Sequence, residues 1–151
     1  YQSKLKVNTL DAIQWMWRSS INNDDARIIK FEKSWGEINL TFQKLKFSGK
    51  VKSFYCFPYT TNFAFKSKES KLFDGYTLYR NYYEKDYEKF ISRLPNNSVI
   101  AIRPFYAGRG FEEGNNAHDM LKYNLKHKAI DKVVLTVTKK KHLNDLQSFF
   151  A

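Results

Sequence analysis

From Ala26 to Lys66 the apolar residues recur largely on a period of two, and this pattern restricts the fold more than any other feature of the chain. In "GEINLTF" Ile38, Leu40 and Phe42 share one face of an extended segment, with Glu37, Asn39 and Thr41 on the other. That is the alternation of a half-buried strand. "ARIIKF" at 26 to 31, "KLKF" at 44 to 47, "KVKSFYCF" at 50 to 57 and "NFAFK" at 62 to 66 flank it as further strand candidates. Ser48-Gly49 and Pro58-Tyr59-Thr60-Thr61 read as turns, which predicts an antiparallel meander over 26 to 66.

The rest of the chain carries a helical period. In "NTLDAIQWMWRSS" Thr9 reads as an N-cap and Leu10, Ile13, Met16 and Trp17 as one stripe, with Trp15 off it. "RNYYEKDYEKFISRL" lines up Tyr83, Tyr87, Phe90, Ile91 and Leu94 before Pro95 ends the run. A strand at 99 to 105, a helix carrying Ala117, Leu121, Leu125 and Ala129, and a buried strand at 132 to 138 follow, forming one parallel crossover. Leu143, Leu146, Phe149 and Phe150 suggest a short closing helix. The expected fold is α+β: an antiparallel or mixed sheet, packed with about four helices. At 42% hydrophobic and 17% aromatic, 151 residues suffice for the core of a single domain. A first residue of Tyr1 fits a domain excised from a longer chain.

Charge points to partners. Lys and Arg number 26 against 15 Asp and Glu, a formal +11 with a pI near 9.6. Such a field favours a polyanion. Lys44, Lys46, Lys50 and Lys52 would share the solvent face of two neighbouring strands, beside Tyr55, Phe57 and Tyr59. Trp35, in a turn between strands, would add a fourth exposed ring. Exposed rings beside lysines stack single-stranded bases. A second basic cluster comprises Lys126, Lys128, Lys139, Lys140 and Lys141, which Arg103 and Arg109 would join. The sequence therefore predicts a nucleic-acid-binding domain, DNA or RNA unresolved, that grips the phosphate backbone. An acidic protein partner for the same basic face is the alternative.

The segment "RPFYAGRGFEEGNNAH" follows a strand and precedes a helix, the place where backbone amides hold anions. Its Gly108, Gly110 and Gly114 give GxGxxxG, neither the dinucleotide GxGxxG nor a P-loop. Glu112, Glu113, His118 and Asp119 fall within eight residues and are the candidates for a nuclease or toxin-like reaction. No hydrolase or zinc motif is present, so the expectation leans away from an enzyme and implies neither cofactor nor metal. The lone Cys56 and the lack of a membrane-length apolar run suit a reducing, intracellular compartment.

Overall fold

The computed structural model describes residues 2–16, 24–137 and 139–150. It has five strands, β1 (Leu10–Met16), β2 (Val51–Phe57), β3 (Gly75–Tyr79), β4 (Val99–Ile102) and β5 (Ile130–Val134), in one sheet of order β1-β2-β3-β4-β5. The pairings of β1 with β2, β2 with β3 and β4 with β5 are all parallel. The fold is α/β, and the expected antiparallel or mixed α+β sheet is corrected.

The correction begins with α2 (Asp24–Phe47), a single helix of 24 residues where three strands of the meander were expected. Phe31 and Phe42 are buried on it and Ile38 is half-buried, whereas Leu40, which shares the strand face with Ile38 and Phe42, is 52% exposed. The spacing that counts is therefore i to i+4, not i to i+2. Asp24 and Asp25 in the first turn and Lys44 and Lys46 in the last complement the helix dipole. A parallel strand pair needs a crossover of a dozen residues or more, and α2 supplies it between β1 and β2. Likewise 61 to 69 is the helix α3, not a strand; of the expected meander only 51 to 57 is one. The segment expected to open the chain as a helix is instead β1, preceded by the single turn α1 (Gln2–Leu5). Trp17 of the expected stripe lies outside the described residues.

The chain divides into two compact units, Tyr1–Thr77 and Leu78–Ala151, with the division inside β3. In the first, Phe31, Phe54, Phe63 and Ala64 are at most 1% exposed. Phe42 stacks on Phe54 with ring centroids 3.8 Å apart. Arg27 is buried beside them; its Nη2 donates to Asp24 Oδ1 at 2.5 Å and to Thr60 Oγ1 at 2.8 Å. The same Thr60 hydroxyl accepts from Phe63 N as the N-cap of α3, so one side chain ties the starts of α2 and α3 together.

The second unit contains α4 (Glu88–Ile91), a 3₁₀ turn (Tyr106–Gly108), α5 (Arg109–Glu112), α6 (Ala117–Leu125) and α7 (Lys140–Phe150). The expected long helix over 80 to 94 is mostly loop, although Tyr87, Phe90, Ile91 and Leu94 are all buried. Arg80, 4% exposed, donates from Nη1 to Tyr123 O at 2.9 Å and lies 4.2 Å from the Tyr123 ring centroid. Its Nε is 3.0 Å from Glu88 Oε1 without N–H alignment, so that contact is ionic and not a hydrogen bond. Among the described residues no helix is long and apolar enough to cross a membrane.

Cys56 is fully buried on β2. Burial pushes its thiol up to about 12 from an ordinary 9.0, against smaller opposing effects of a Ser67 hydrogen bond and the Arg27 charge. Between those values the unfolded thiol ionises while the folded one stays protonated, so stability falls as pH rises above 9.0. Burial of the Tyr76 phenol acts in the same direction. Alkaline thermal scans should show a falling midpoint, less steep in C56S, and an alkylating reagent should leave the native thiol unmodified near neutral pH. Rapid native-state labelling would contradict this.

Candidate functional site

In parallel α/β sheets ligands gather outside the carboxyl ends of the strands. In the second unit, the carboxyl ends of β3 and β4 carry Tyr79, Asn81, Arg103 and the glycine-rich turn that follows. Asn81, 1% exposed, organises this end. Its Oδ1 accepts from the backbone N–H of Tyr83 at 2.9 Å and of Glu84 at 2.8 Å. Its Nδ2 donates to Glu84 Oε2 at 2.5 Å and to the Arg103 carbonyl at 3.0 Å.

Glu84, so oriented, holds Arg103 Nη1 at 3.0 Å from Oε1, with the guanidinium carbon 4.7 Å from the Tyr79 ring centroid. Arg103 is thus neutralised in place. Arg109 differs: its guanidinium carbon lies 4.0 Å from the Tyr106 ring centroid, the side chain is exposed, and no carboxylate pairs with it among the described residues. Tyr106 in turn stacks on Tyr83 at 5.0 Å, and the Tyr83 hydroxyl accepts from Asn115 Nδ2 at 2.6 Å. The result is a cation on a two-ring aromatic shelf.

The glycines turn the corner and do not cradle an anion. Gly108 (φ +92) and Gly114 (φ +79) supply left-handed conformations, and a Cβ on Gly110 would meet Met120 Sδ at 2.7 Å and the Phe105 carbonyl at 3.2 Å. The N–H groups of Tyr106, Gly108, Gly110 and Gly114 already donate to Arg103, Phe105, Phe105 and Phe111 carbonyls. Those four N–H groups are therefore not free to hold an anion.

Other expected site residues are dispersed. Glu112 and Glu113 are exposed at the end of α5 and His118 and Asp119 are exposed at the start of α6, where the Asp119 N–H donates to its N-cap, Asn116. No described group of three or more His, Cys, Asp or Glu suits a metal. Lys44 and Lys46 stand on the last turns of α2, Lys50 in the turn before β2, and Lys52 on β2 pairs with Asp11 at 2.6 Å. They do not form the lysine face of two neighbouring strands. Phe57 is buried, Tyr55 and Tyr59 are half-buried, and Trp35 is a half-buried residue of α2 stacked on Phe31. Lys126, Lys128, Lys139 and Lys140 are exposed, and the Lys141 side chain lies outside the described set. Tyr79, Asn81, Glu84 and Tyr106 were not singled out from the sequence, and Tyr83 was read only as part of a buried helical stripe, whereas it is 42% exposed; the signal present was the tyrosine-rich run beginning just after β3.

No protein-family model and no curated protein matches the chain. Solved structures do resemble it. A presumptive aldo-keto reductase from Pseudomonas aeruginosa superposes with a TM-score of 0.72 at 10% identity, over 98% of this chain and 52% of its own. The holo form of an aldo-keto reductase from Bacillus halodurans gives 0.73 at 13% identity, over 99% of this chain and 58% of its own. The chain thus spans little more than half the length of these structures. At such identities the likeness is one of fold, and it agrees with the parallel, consecutively ordered sheet. It overturns the nucleic-acid-binding reading, its DNA- and RNA-binding labels and its partners: the neighbours are reductases, and neither the nuclease nor the basic interaction module finds a counterpart among them.

Proposed function

We propose that this chain is a cofactor-binding part of an aldo-keto reductase-like protein, and that its second unit holds the anionic, aromatic portion of a nucleotide cofactor. One observation carries the reading: Arg109, exposed and without a carboxylate partner among the described residues, lies on the Tyr106 ring beyond the carboxyl end of β4. The residues fit such a group through side chains. The guanidinium suits a phosphate, and, with the Tyr106 ring covered by Arg109 and Tyr83, the ring of Tyr83, 42% exposed, offers its outer surface to a base. Arg103, engaged by Glu84, contributes position and not a free charge. A reduced nucleotide cofactor supplies a hydride to a carbonyl when bound. The roles of Arg109, Tyr106 and Tyr83 are binding and orientation. An intracellular, reducing compartment belongs to the same proposal, since such a cofactor is kept reduced there.

Calorimetric titration with a phosphorylated nicotinamide dinucleotide, its unphosphorylated form and inorganic phosphate tests the reading. Binding of a dinucleotide, weakened about tenfold by R109A and by Y106A, is expected, in line with the loss of about one charge-assisted contact. Equal, weak binding of all three ligands, or an R109A protein that binds as the parent does, would overturn it.

A further inference from the structure

The connection from α6 to β5, residues 126–129, is hydrogen-bonded to the start of β4. The Lys128 carbonyl accepts from the Asn97 N–H at 3.1 Å, and the Ala129 carbonyl accepts from the Ser98 N–H at 3.0 Å and the Val99 N–H at 2.9 Å. Ala129 and Val99 have no exposed surface, and Ser98 is buried. The Ala129 N–H turns back and donates to His127 Nδ1 at 3.2 Å, while the backbone of His127 donates to Asn124 O and accepts from the Ile130 N–H. An imidazole nitrogen that accepts a hydrogen bond carries no proton, so this ring is neutral with its proton on Nε2.

We infer that His127 is a proton-operated latch: neutral, it fastens the α6–β5 connection against β4, and protonated, it releases the Ala129 N–H and loosens that joint. An imidazolium donates from both nitrogens, so a proton on Nδ1 would face the Ala129 N–H donor to donor. That bond then breaks, and a buried backbone N–H that loses its acceptor costs stability. Charged groups from three elements act on the ring: Arg80 after β3, Glu88 on α4 and Lys128 in the connection itself. Burial and the Arg80 charge hold the imidazole below its ordinary 6.5; Glu88 pulls the other way, and Lys128 adds to the lowering. Arg80 is fixed in this role by Tyr123 O and Glu88, and the Tyr123 hydroxyl donates to the same carboxylate at 3.0 Å. With the folded pKa below the unfolded one, the contribution to stability is complete above 6.5 and is lost as pH falls below it, where the unfolded ring takes up a proton that the folded ring resists.

The parent, H127N and H127A separate a latch from a ring that only fills space. In H127N the side-chain Oδ1 can accept the N–H two residues on, as Asn does in Asx-turns, and it does not titrate. H127A has no acceptor at any pH. His118 and His142 are present in all three proteins and cancel in the comparison. Urea unfolding should place H127N close to the parent at pH 7.5 and H127A below both. Between pH 7.5 and pH 5.5 the parent should lose stability relative to H127N, by at least about a threefold change in the unfolding constant, and protection of the Ala129 amide should fall by a similar factor in the parent but not in H127N. Nitrogen NMR of the parent, which needs no variant, should show the Nε2–H tautomer of His127 at pH 7.5 and a titration midpoint below 6.5. An Nδ1–H tautomer, a midpoint above 6.5, or a parent that loses no more stability and Ala129 protection than H127N on acidification would each overturn the inference.

Discussion

Replacing Phe31 by alanine is expected to destabilise the first unit by about 3–5 kcal/mol, the usual cost of removing a fully buried aromatic ring. Phe31 has no exposed surface. Its ring centroid lies 5.2 Å from Phe63, 5.7 Å from Trp15, 5.9 Å from Trp35 and 6.4 Å from Phe73. These rings come from β1, α2, α3 and the segment before β3, so the cavity would open where the elements of the unit meet. Collapse around it is hindered, because Trp15 also stacks on Phe63 at 6.3 Å and lies 5.5 Å from Phe73. Urea unfolding followed by tryptophan fluorescence reads the loss directly, since Trp15 and Trp35 both border the cavity. F31L, which keeps most of the volume, should recover more than half of it. A loss below about 1 kcal/mol in F31A would mean that the ring does not hold this core.

Much of this core was visible in the sequence as apolar residues, yet its architecture was not. The reason lies in α2. Ile29, Leu40 and Phe47 are 51%, 52% and 95% exposed on a helix whose opposite face buries Phe31 and Phe42. Apolar residues on both faces blur the helical period, and Ile38, Leu40 and Phe42 then imitate a strand. β1 erred the other way: Leu10, Ile13 and Met16 fall at helical spacing, but with β2 along one side only, burial along the strand is partial. The parallel crossover between β4 and β5 was legible because Val99 and Ala101 alternate on β4 and Ala117 and Leu121 recur four apart on α6. Its bounds were not: the strands run over 99–102 and 130–134, not 99 to 105 and 132 to 138, Leu125 is exposed and Ala129 lies beyond the helix.

Charge misled for a related reason. Lys46, Lys52 and Lys66 engage Asp74, Asp11 and the pair Glu32 and Glu69 on the surface, contacts worth little to stability. The alternating lysines were therefore an ordinary solvated surface of a helix and a strand. Of the candidate site, the turn after β4 and its two arginines could be read in sequence. The difference between them could not, because it depends on Glu84 approaching Arg103 from a loop that resembled a helix.

That loop is organised by Asn81, and N81A is expected to cost the second unit about 2–4 kcal/mol, since several backbone groups and a carboxylate lose their partners at once. The Tyr83 and Glu84 amides lose their acceptor; Glu84 Oε2 and the Arg103 carbonyl lose a donor. N81D separates the two halves of the role. It keeps the acceptor for both amides but turns the donor into a carboxylate oxygen facing Glu84 and the Arg103 carbonyl. Repulsion there disfavours the ionised form, so the substituted carboxyl should titrate higher folded than unfolded. Its protonated form restores a donor, and stability lost near neutral pH should return as the solution is acidified. Urea unfolding of the parent, N81A and N81D at pH 7 and pH 5 distinguishes these cases. The expected pattern is two destabilised variants at pH 7, with N81D alone gaining on the parent at pH 5. If Asn81 only filled space, N81D would be close to the parent at both values and Arg103 would keep its place. If it organises the carboxyl end of β4, N81D should also weaken the dinucleotide binding we propose, at pH 7 and with Arg109 intact, because the turn that carries Tyr106 begins at the Arg103 carbonyl, to which the Tyr106 N–H donates at 2.9 Å.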